Sequence, residues 1–553
     1  MIAVIAPPED HEVVREFFQL FKTPWEFYRT GQRYQVVLCA GENQFNGPAD
    51  LLVVYSSAHI AFDDKNKIST GSRKSSPSIA VFGKYRLPLY HASLALEPAD
   101  NCLLQDEQSR DCIGFVDRSQ GASVARIGYD LFAEVRTLLT VGQPVQNSAL
   151  PALDLHIALL RDLIVDAGVS LVEIPPVPEG YKFIACLTHD VDHPFLTKHK
   201  WDRTTLGFLY RATAGSLANF FRGRLSLGEM LQNWAAALKL PFVQMGLAQD
   251  FWANFGERYL ELEKGLPSTF FLVPFKNRPG KTATGSAPAM RATPYEAKDL
   301  ADTVQKLTAA GCEVGLHGID AWIDARNGSA ELSEIRQLTG AKEIGVRMHW
   351  LYNDQKSPSC LEAAGAAYDS TSGYNGAIGY RAGTTQAFKP LDVRELLELP
   401  LHVMDTSMFY PSHLGLSPQQ VVHVLQPIVE NAALTGGTLT VNWHDRSIAP
   451  ERLWEPTYRN LINDMKTRGA WFATAGQAVA WSRKRRAATF EIDANEPARM
   501  RARLGADADD HFPGLLLRVH TPRKPGATAA TPIFFDTIVG HQVAAKLPAE
   551  TRS

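Results

Sequence analysis

Phe183-Ile184-Ala185-Cys186-Leu187-Thr188-His189-Asp190-Val191-Asp192-His193-Pro194 runs from an apolar segment into two carboxylates set two positions apart. On an extended strand residues i and i+2 point the same way, so Asp190 and Asp192 share one face and His189 and His193 the other. Two acids at a strand end can divide labour, one holding a metal ion while its neighbour takes a proton from water. Asp-x-Asp alone also serves to cap a helix or bend a turn, so the segments that follow decide its meaning.

Those segments alternate strand-like and helical patterns: Phe183 to Thr188, Ser268 to Val273, Glu313 to Leu316, Ile344 to Arg347, Leu396 to Met404, Thr438 to Trp443 and Trp471 to Thr474. Seven strands separated by helices predict an α/β fold with a parallel barrel, a distorted (β/α)7 type. One connecting helix has its own start signal, Thr293-Pro294-Tyr295-Glu296, which reads as a capping box with proline at N1. Leu300, Val304 and Leu307 then form its buried stripe.

The 553 residues suggest several domains. Residues 1–178 mix short apolar runs with turn-rich stretches and predict an α/β accessory domain, closed by the proline-rich stretch Pro175-Pro176-Val177-Pro178. Residues 179–487 hold the barrel, and 488–553 a small β-rich appendage whose candidate strands are Leu515 to Val519 and Ile533 to Phe535. Within the barrel, residues 196–263 break the strand-helix rhythm and read as a helical insertion beside the site. Its aromatics, Trp201, Phe208, Tyr210, Phe220, Phe221, Trp234 and Trp252, together with Arg222 and Arg224, allow a nucleic-acid or membrane surface, but helical spacing favours core packing. The basic run Arg483-Lys484-Arg485-Arg486 reads as a solvated helix end.

A hydrophobic content of 45% and net charge of -3 fit a globular protein with no broad attraction to nucleic acid or anionic lipid. The first residues lack a basic segment followed by an apolar run, and no stretch reaches about 18 apolar residues, so an integral membrane segment is not expected and the expected compartment is the cytoplasm. Cys39, Cys102, Cys112, Cys186, Cys312 and Cys360 show no Cys-x-x-Cys spacing and read as buried free thiols.

Downstream of the two acids stand Gly315-Leu316-His317-Gly318-Ile319-Asp320, Gly345-Val346-Arg347-Met348-His349-Trp350, Tyr368-Asp369-Ser370-Thr371, Gly379-Tyr380-Arg381-Ala382-Gly383-Thr384 and Val441-Asn442-Trp443-His444-Asp445. Polar residues at the C-terminal ends of parallel barrel strands collect around one mouth. Over about residues 180–486 this order resembles the polysaccharide deacetylase superfamily with its NodB-homology fold, in a branch opening on Thr188-His189-Asp190-Val191-Asp192-His193. The resemblance implies Asp190 as general base, Asp192 and His317 as metal ligands, and His444 as the acid that protonates the leaving amine. The second histidine of the family's metal motif would fall at Ala321. His349, on the same strand face as Arg347, is the candidate replacement, and Asp320 is the runner-up.

Asp192, His317 and His349 would leave one position of a zinc site open, so a divalent metal, zinc first, is the expected cofactor. Arg347 and Arg381 compete to pair with Asp190, with motif order favouring Arg347. Asp445 could orient His444 or serve a turn. His402 and Asp405 read as cleft-lining or structural. The implied activity is metal-dependent removal of an acyl group, an N-acetyl group first, from a sugar or glycan precursor. The rivals are an inactive carbohydrate-binding barrel, supported by Ala321, and a glycosidase, which acids only two residues apart suit poorly.

Overall fold

The computed structural model describes residues 1–41, 45–75, 77–97, 102–118, 122–200, 202–223, 225–492, 499–504, 511–522, 534–539 and 544–546. Strand β1 (Phe183–Val191) is buried at every residue, because both its edges are paired and both its faces are covered. It shares a parallel sheet with β2 (Ser268–Leu272), β3 (Glu313–Gly318), β4 (Val346–Met348), β5 (Val403–Met404), β6 (Thr438–Asn442) and β7 (Ala470–Phe472). The order is β4-β3-β2-β1-β6-β5, with β7 also on β1. Along one edge of β1, β7 takes Phe183–Ala185 and β2 takes Leu187–Val191.

Past β4 the hydrogen bonding continues through segments too short to form regular strands. Ser370 N donates to Val346 O at 2.8 Å, Asp369 N to Leu397 O at 2.9 Å, and His402 N to Thr440 O at 3.1 Å. The sheet therefore curls round toward β6, giving the α/β barrel-like architecture expected from the alternation. Side chains from its strands and surrounding helices, among them Leu187, Phe270, Leu316, Val346 and Val441, pack into one core.

The helix expected after residue 293 forms one turn later. A 3-10 turn, Ala297–Leu300, leads into Ala301–Ala309, and the reciprocal cap joins Glu296 and Asp299. Thr293 Oγ1 donates instead to Tyr295 O at 3.2 Å, a local hydrogen bond that takes the hydroxyl away from any cap. Leu300, Val304 and Leu307 are buried as the spacing requires.

Before the barrel lies a nine-stranded mixed sheet running from Trp25–Phe27 at one edge to Tyr85–Leu89 at the other. Two small antiparallel sheets follow the barrel. In one of them, Leu516–His520 pairs with Phe534–Ile538 on one side and with Leu171–Glu173, from ahead of the barrel, on the other. Ile533 lies outside the described residues.

Two expectations need correction. The basic run is not a solvated helix end: Arg485 is buried and donates to Ile174 O, Leu20 O and Gln386 Oε1, while Arg486 pairs with Glu16. A guanidinium carries five donors, enough to tie the last barrel helix to carbonyls of the N-terminal region. Nor are all six cysteines free, because Cys102 and Cys112 are joined as a disulfide across a strand pair. Spacing rules for zinc sites do not register two cysteines that pairing alone brings together.

Candidate metal centre and active site

β1 carries Asp190 and ends at Val191, so Asp192 stands just past the strand at the barrel mouth. β3 brings His317, and β4 delivers His349 immediately after its last residue. Asp192 Oδ1 lies 3.3 Å from His317 Nε2 and 3.3 Å from His349 Nδ1, and the two ring nitrogens are 3.0 Å apart.

The far side of each ring is committed. His317 Nδ1 lies 3.0 Å from Arg347 O, and His349 Nε2 lies 2.9 Å from Arg291 O. A carbonyl only accepts, so each of those nitrogens carries the proton and the facing Nε2 and Nδ1 present lone pairs. Two lone pairs and a carboxylate oxygen thus converge, and that oxygen is buried without a hydrogen-bond partner. Converging acceptors repel unless a cation lies among them. Tetrahedral bonds of about 2.0–2.1 Å set donors roughly 3.3 Å apart, close to the spacing here. Burial also pushes His349 below its ordinary value, which keeps its imidazole neutral for ligation despite the nearby Asp192 charge.

Arg291, absent from the sequence reading, is buried and fastens the loop behind His349. It donates to His349 O at 2.8 Å, Ile319 O at 3.0 Å and Pro279 O at 2.6 Å. Asp320, the alternative ligand, accepts from Lys281 N at 2.8 Å and is absent from the ligand cluster. Ala321 is buried in the barrel core.

Asp190 faces the same centre, 3.9 Å from His317 Nε2. Its Oδ1 accepts from Arg347 at 3.2 Å and its Oδ2 from Asn442 Nδ2 at 2.7 Å. Arg347 is held in turn by Thr188 Oγ1, Ser370 O and Ser370 Oγ, with its plane over the Phe271 ring. Burial disfavours the Asp190 carboxylate, but His317, Arg347 and His444 outweigh it and hold the carboxyl below its usual range. Arg381 lies elsewhere, donating to Gly373 O at 3.1 Å beside Tyr374.

His444 follows β6, with Nε2 3.8 Å from Asp192 Oδ2. Its Nδ1 lies 2.6 Å from Asp405 Oδ1, and its backbone N donates to Asp405 Oδ2 at 2.7 Å. The orienting carboxylate is therefore Asp405, not Asp445, whose Oδ2 accepts from His193 N at 2.9 Å. Asp405 opens the short helix Asp405–Phe409 directly after β5. Because β5 and β6 pair in parallel, their ends come level. Burial works against the imidazolium, but the Asp405 charge and hydrogen bond, followed by Asp192 and Asp190, push His444 up to about 10. His402 is pinned between Thr384 O and Thr440 N and has a structural place.

No known protein family matches this sequence, and no curated protein does. Among solved structures, the chain is similar to a Mycobacterium smegmatis protein assigned to the polysaccharide deacetylases, at 18% identity and a TM-score of 0.34, covering 56% of this chain and 95% of that one. It is similar to the Bacillus subtilis peptidoglycan deacetylase PdaC at 10% identity and a TM-score of 0.24, over 57% and 96% of the two chains. A third is a GH57 branching enzyme from Thermococcus kodakaraensis, at 12% identity and a TM-score of 0.27, over 54% and 71%. Likenesses this distant carry no argument, so the reading of the site rests on its own geometry.

Proposed function

We propose that this chain is a metal-dependent hydrolase that removes an acyl group, most simply an N-acetyl group, from a sugar or glycan precursor. The observation that carries the proposal is the convergence of Asp192, His317 and His349, whose facing atoms all lie within 4.8 Å of one another with both imidazoles oriented from behind. A divalent ion held there, zinc on the chemistry of the donor set, supplies Lewis-acid polarisation of an acyl carbonyl and acidifies water. The inactive-barrel rival drew on Ala321, and His349 offers the donor which that alanine lacks.

The chain's own groups divide the proton transfers. Asp190, kept ionised by Arg347 and Asn442, takes the proton from the attacking water. His444, kept protonated by Asp405, gives its proton to the departing amine, so that acetate and a free amino sugar leave. Metal analysis and turnover test this together: the purified chain should hold about one divalent ion at the Asp192, His317 and His349 cluster. Chelation should abolish acetate release from N-acetylglucosamine oligomers or O-acetylated glycans, and zinc should restore it. Undiminished acetate release from metal-free protein would overturn the proposal.

Asp405→Asn isolates the acid. A raised histidine pKa keeps the proton through neutral pH and loses it only as the pH climbs toward about 10. Removing the Asp405 charge takes away the largest cause of the rise, so the alkaline limb of kcat/KM should move to lower pH. Its height should fall by roughly 10- to 100-fold near neutrality, less than the roughly 100- to 10,000-fold that a positioned acid contributes, because His444 itself remains. A pH-rate profile of metal-loaded variant and parent reads both effects, and coincident alkaline limbs would remove His444 from the acid role.

A further inference from the structure

Half of the exposed large apolar residues among the described residues fall in one short segment, 206–247. This is the helical insertion. One arm runs through Arg203–Tyr210, a π-helical stretch at Arg211–Gly215 and Ser216–Phe221, and the other is the 18-residue helix Leu227–Gln244. The arms touch where Trp234 Nε1 donates to Ser216 Oγ at 3.1 Å. Trp201 and Arg224 lie outside the described residues.

The long helix is apolar on two faces. Met230, Ala236, Leu240 and Val243 turn inward, the last three into a small core with Phe208, Ala212 and Trp252. Leu227, Leu231, Trp234, Leu238, Phe242 and Met245 are exposed, and their steps of three and four residues lay them along one stripe. In the first arm Leu206, Tyr210, Leu217 and Phe221 are exposed at steps of four and seven. Leu238 is 75% and Phe221 77% accessible. Core packing, which helical spacing favoured, accounts for Phe208 and Trp252 and leaves these residues unexplained. Apolar side chains exposed in this number along helix faces mark a docking face.

Charge selects the occupant. Residues 196–248 carry seven Lys or Arg against two Asp or Glu, in a chain whose net charge is -3. Lys198, Lys200, Arg203, Arg222 and Lys239 are exposed. Farther in, Arg446 and Arg452 both donate to Tyr410 Oη. An excess of positive charge repels a second copy of the same hairpin and attracts an anionic surface. Among the described residues no helix is long and apolar enough to cross a membrane. A hairpin that carries an exposed apolar stripe with a Trp, and an excess of exposed cations, suits the plane of the membrane interface.

We propose that the hairpin 203–245 docks on an anionic lipid bilayer, with its apolar stripe in the headgroup boundary. The root of the hairpin grips the loop beyond His444: Trp252 Nε1 donates to Glu451 at 3.1 Å, Arg446 stacks over Trp252, and Ala449 completes the small core. Docking therefore holds the barrel mouth beside the membrane surface. This inference stands apart from the catalytic reading, because vesicle binding requires neither metal nor turnover.

Co-sedimentation of the full chain with phosphatidylcholine vesicles, with and without phosphatidylglycerol, tests it. The parent should pellet with the anionic vesicles and be released by salt. A double variant, Leu231→Glu with Leu238→Glu, should partition at least roughly tenfold less while its thermal melt stays in place, both positions being exposed. The proposal falls if the parent stays in solution with both vesicle types or pellets equally with both. It falls too if the parent sediments as a dimer and the variant as a monomer, since a second copy then covers the stripe.

Discussion

Asp190→Asn should lower acyl hydrolysis by about 100- to 10,000-fold, the contribution of a positioned general base, while the protein still binds its full complement of metal. The two outcomes separate because Asp190 faces Arg347 and Asn442, whereas the three converging donors are Asp192, His317 and His349. The amide fills nearly the carboxylate's volume but cannot take the proton. Nor can it accept from both neighbours: if its oxygen keeps the Arg347 contact, its NH2 meets the Asn442 NH2, donor against donor. That mismatch costs about 1–3 kcal/mol of stability, so a small drop in Tm should accompany intact metal content. Elemental analysis, a thermal melt and single-turnover acetate release are the three readings. Retained turnover with retained metal would take the base role away from Asp190.

The same carboxylate sets the acidic limb of the rate profile. A depressed folded-state pKa means the ionised form persists as the pH falls, and activity is lost only below the usual carboxylate range. Replacing Arg347 with Met should shift that limb upward, since His317 and His444 then oppose burial without the guanidinium.

The order of strands and the acids at their ends were legible because parallel barrel strands are apolar in runs and end in polar residues at one mouth. His349 was legible as well, since its offset of two from Arg347 on a strand end fixes a shared direction. Motif order made Arg347 legible as the partner of Asp190, but the other partners joined by side-chain hydrogen bonds across the fold were not. Asp405 and His444 lie 39 positions apart and meet because β5 and β6 end level. Asn442 was visible in the last motif, but nothing in a sequence aims an amide at Asp190 from the neighbouring strand. Arg291 sits in a loop whose path is set by carbonyls it holds itself. The hairpin shows another limit: Leu227–Gln244 is apolar on both faces, and periodicity cannot say which face the rest of the molecule covers.

Asp192→Ala and His349→Ala should each weaken metal binding by more than the 10- to 100-fold that loss of an outer-shell partner typically costs, and Arg291→Met should fall within that smaller range. Asp192 gives the sharper test because stability and metal affinity are read on the same two proteins. Its Oδ1 is buried without a hydrogen-bond partner, and its carboxyl is held below the ordinary range against burial by His349, His317 and His444. A carboxyl held below its ordinary range contributes stability at neutral pH, so the metal-free variant should melt somewhat lower than the metal-free parent. Zinc stabilises only what binds it: at one hundred times Kd the parent should gain about 2.7 kcal/mol and the variant essentially nothing. Melts of parent and variant with and without zinc, beside direct metal titration, give the four corners of that comparison. An equal zinc-induced rise in both would place the ion elsewhere, and the proposed hydrolytic centre with it.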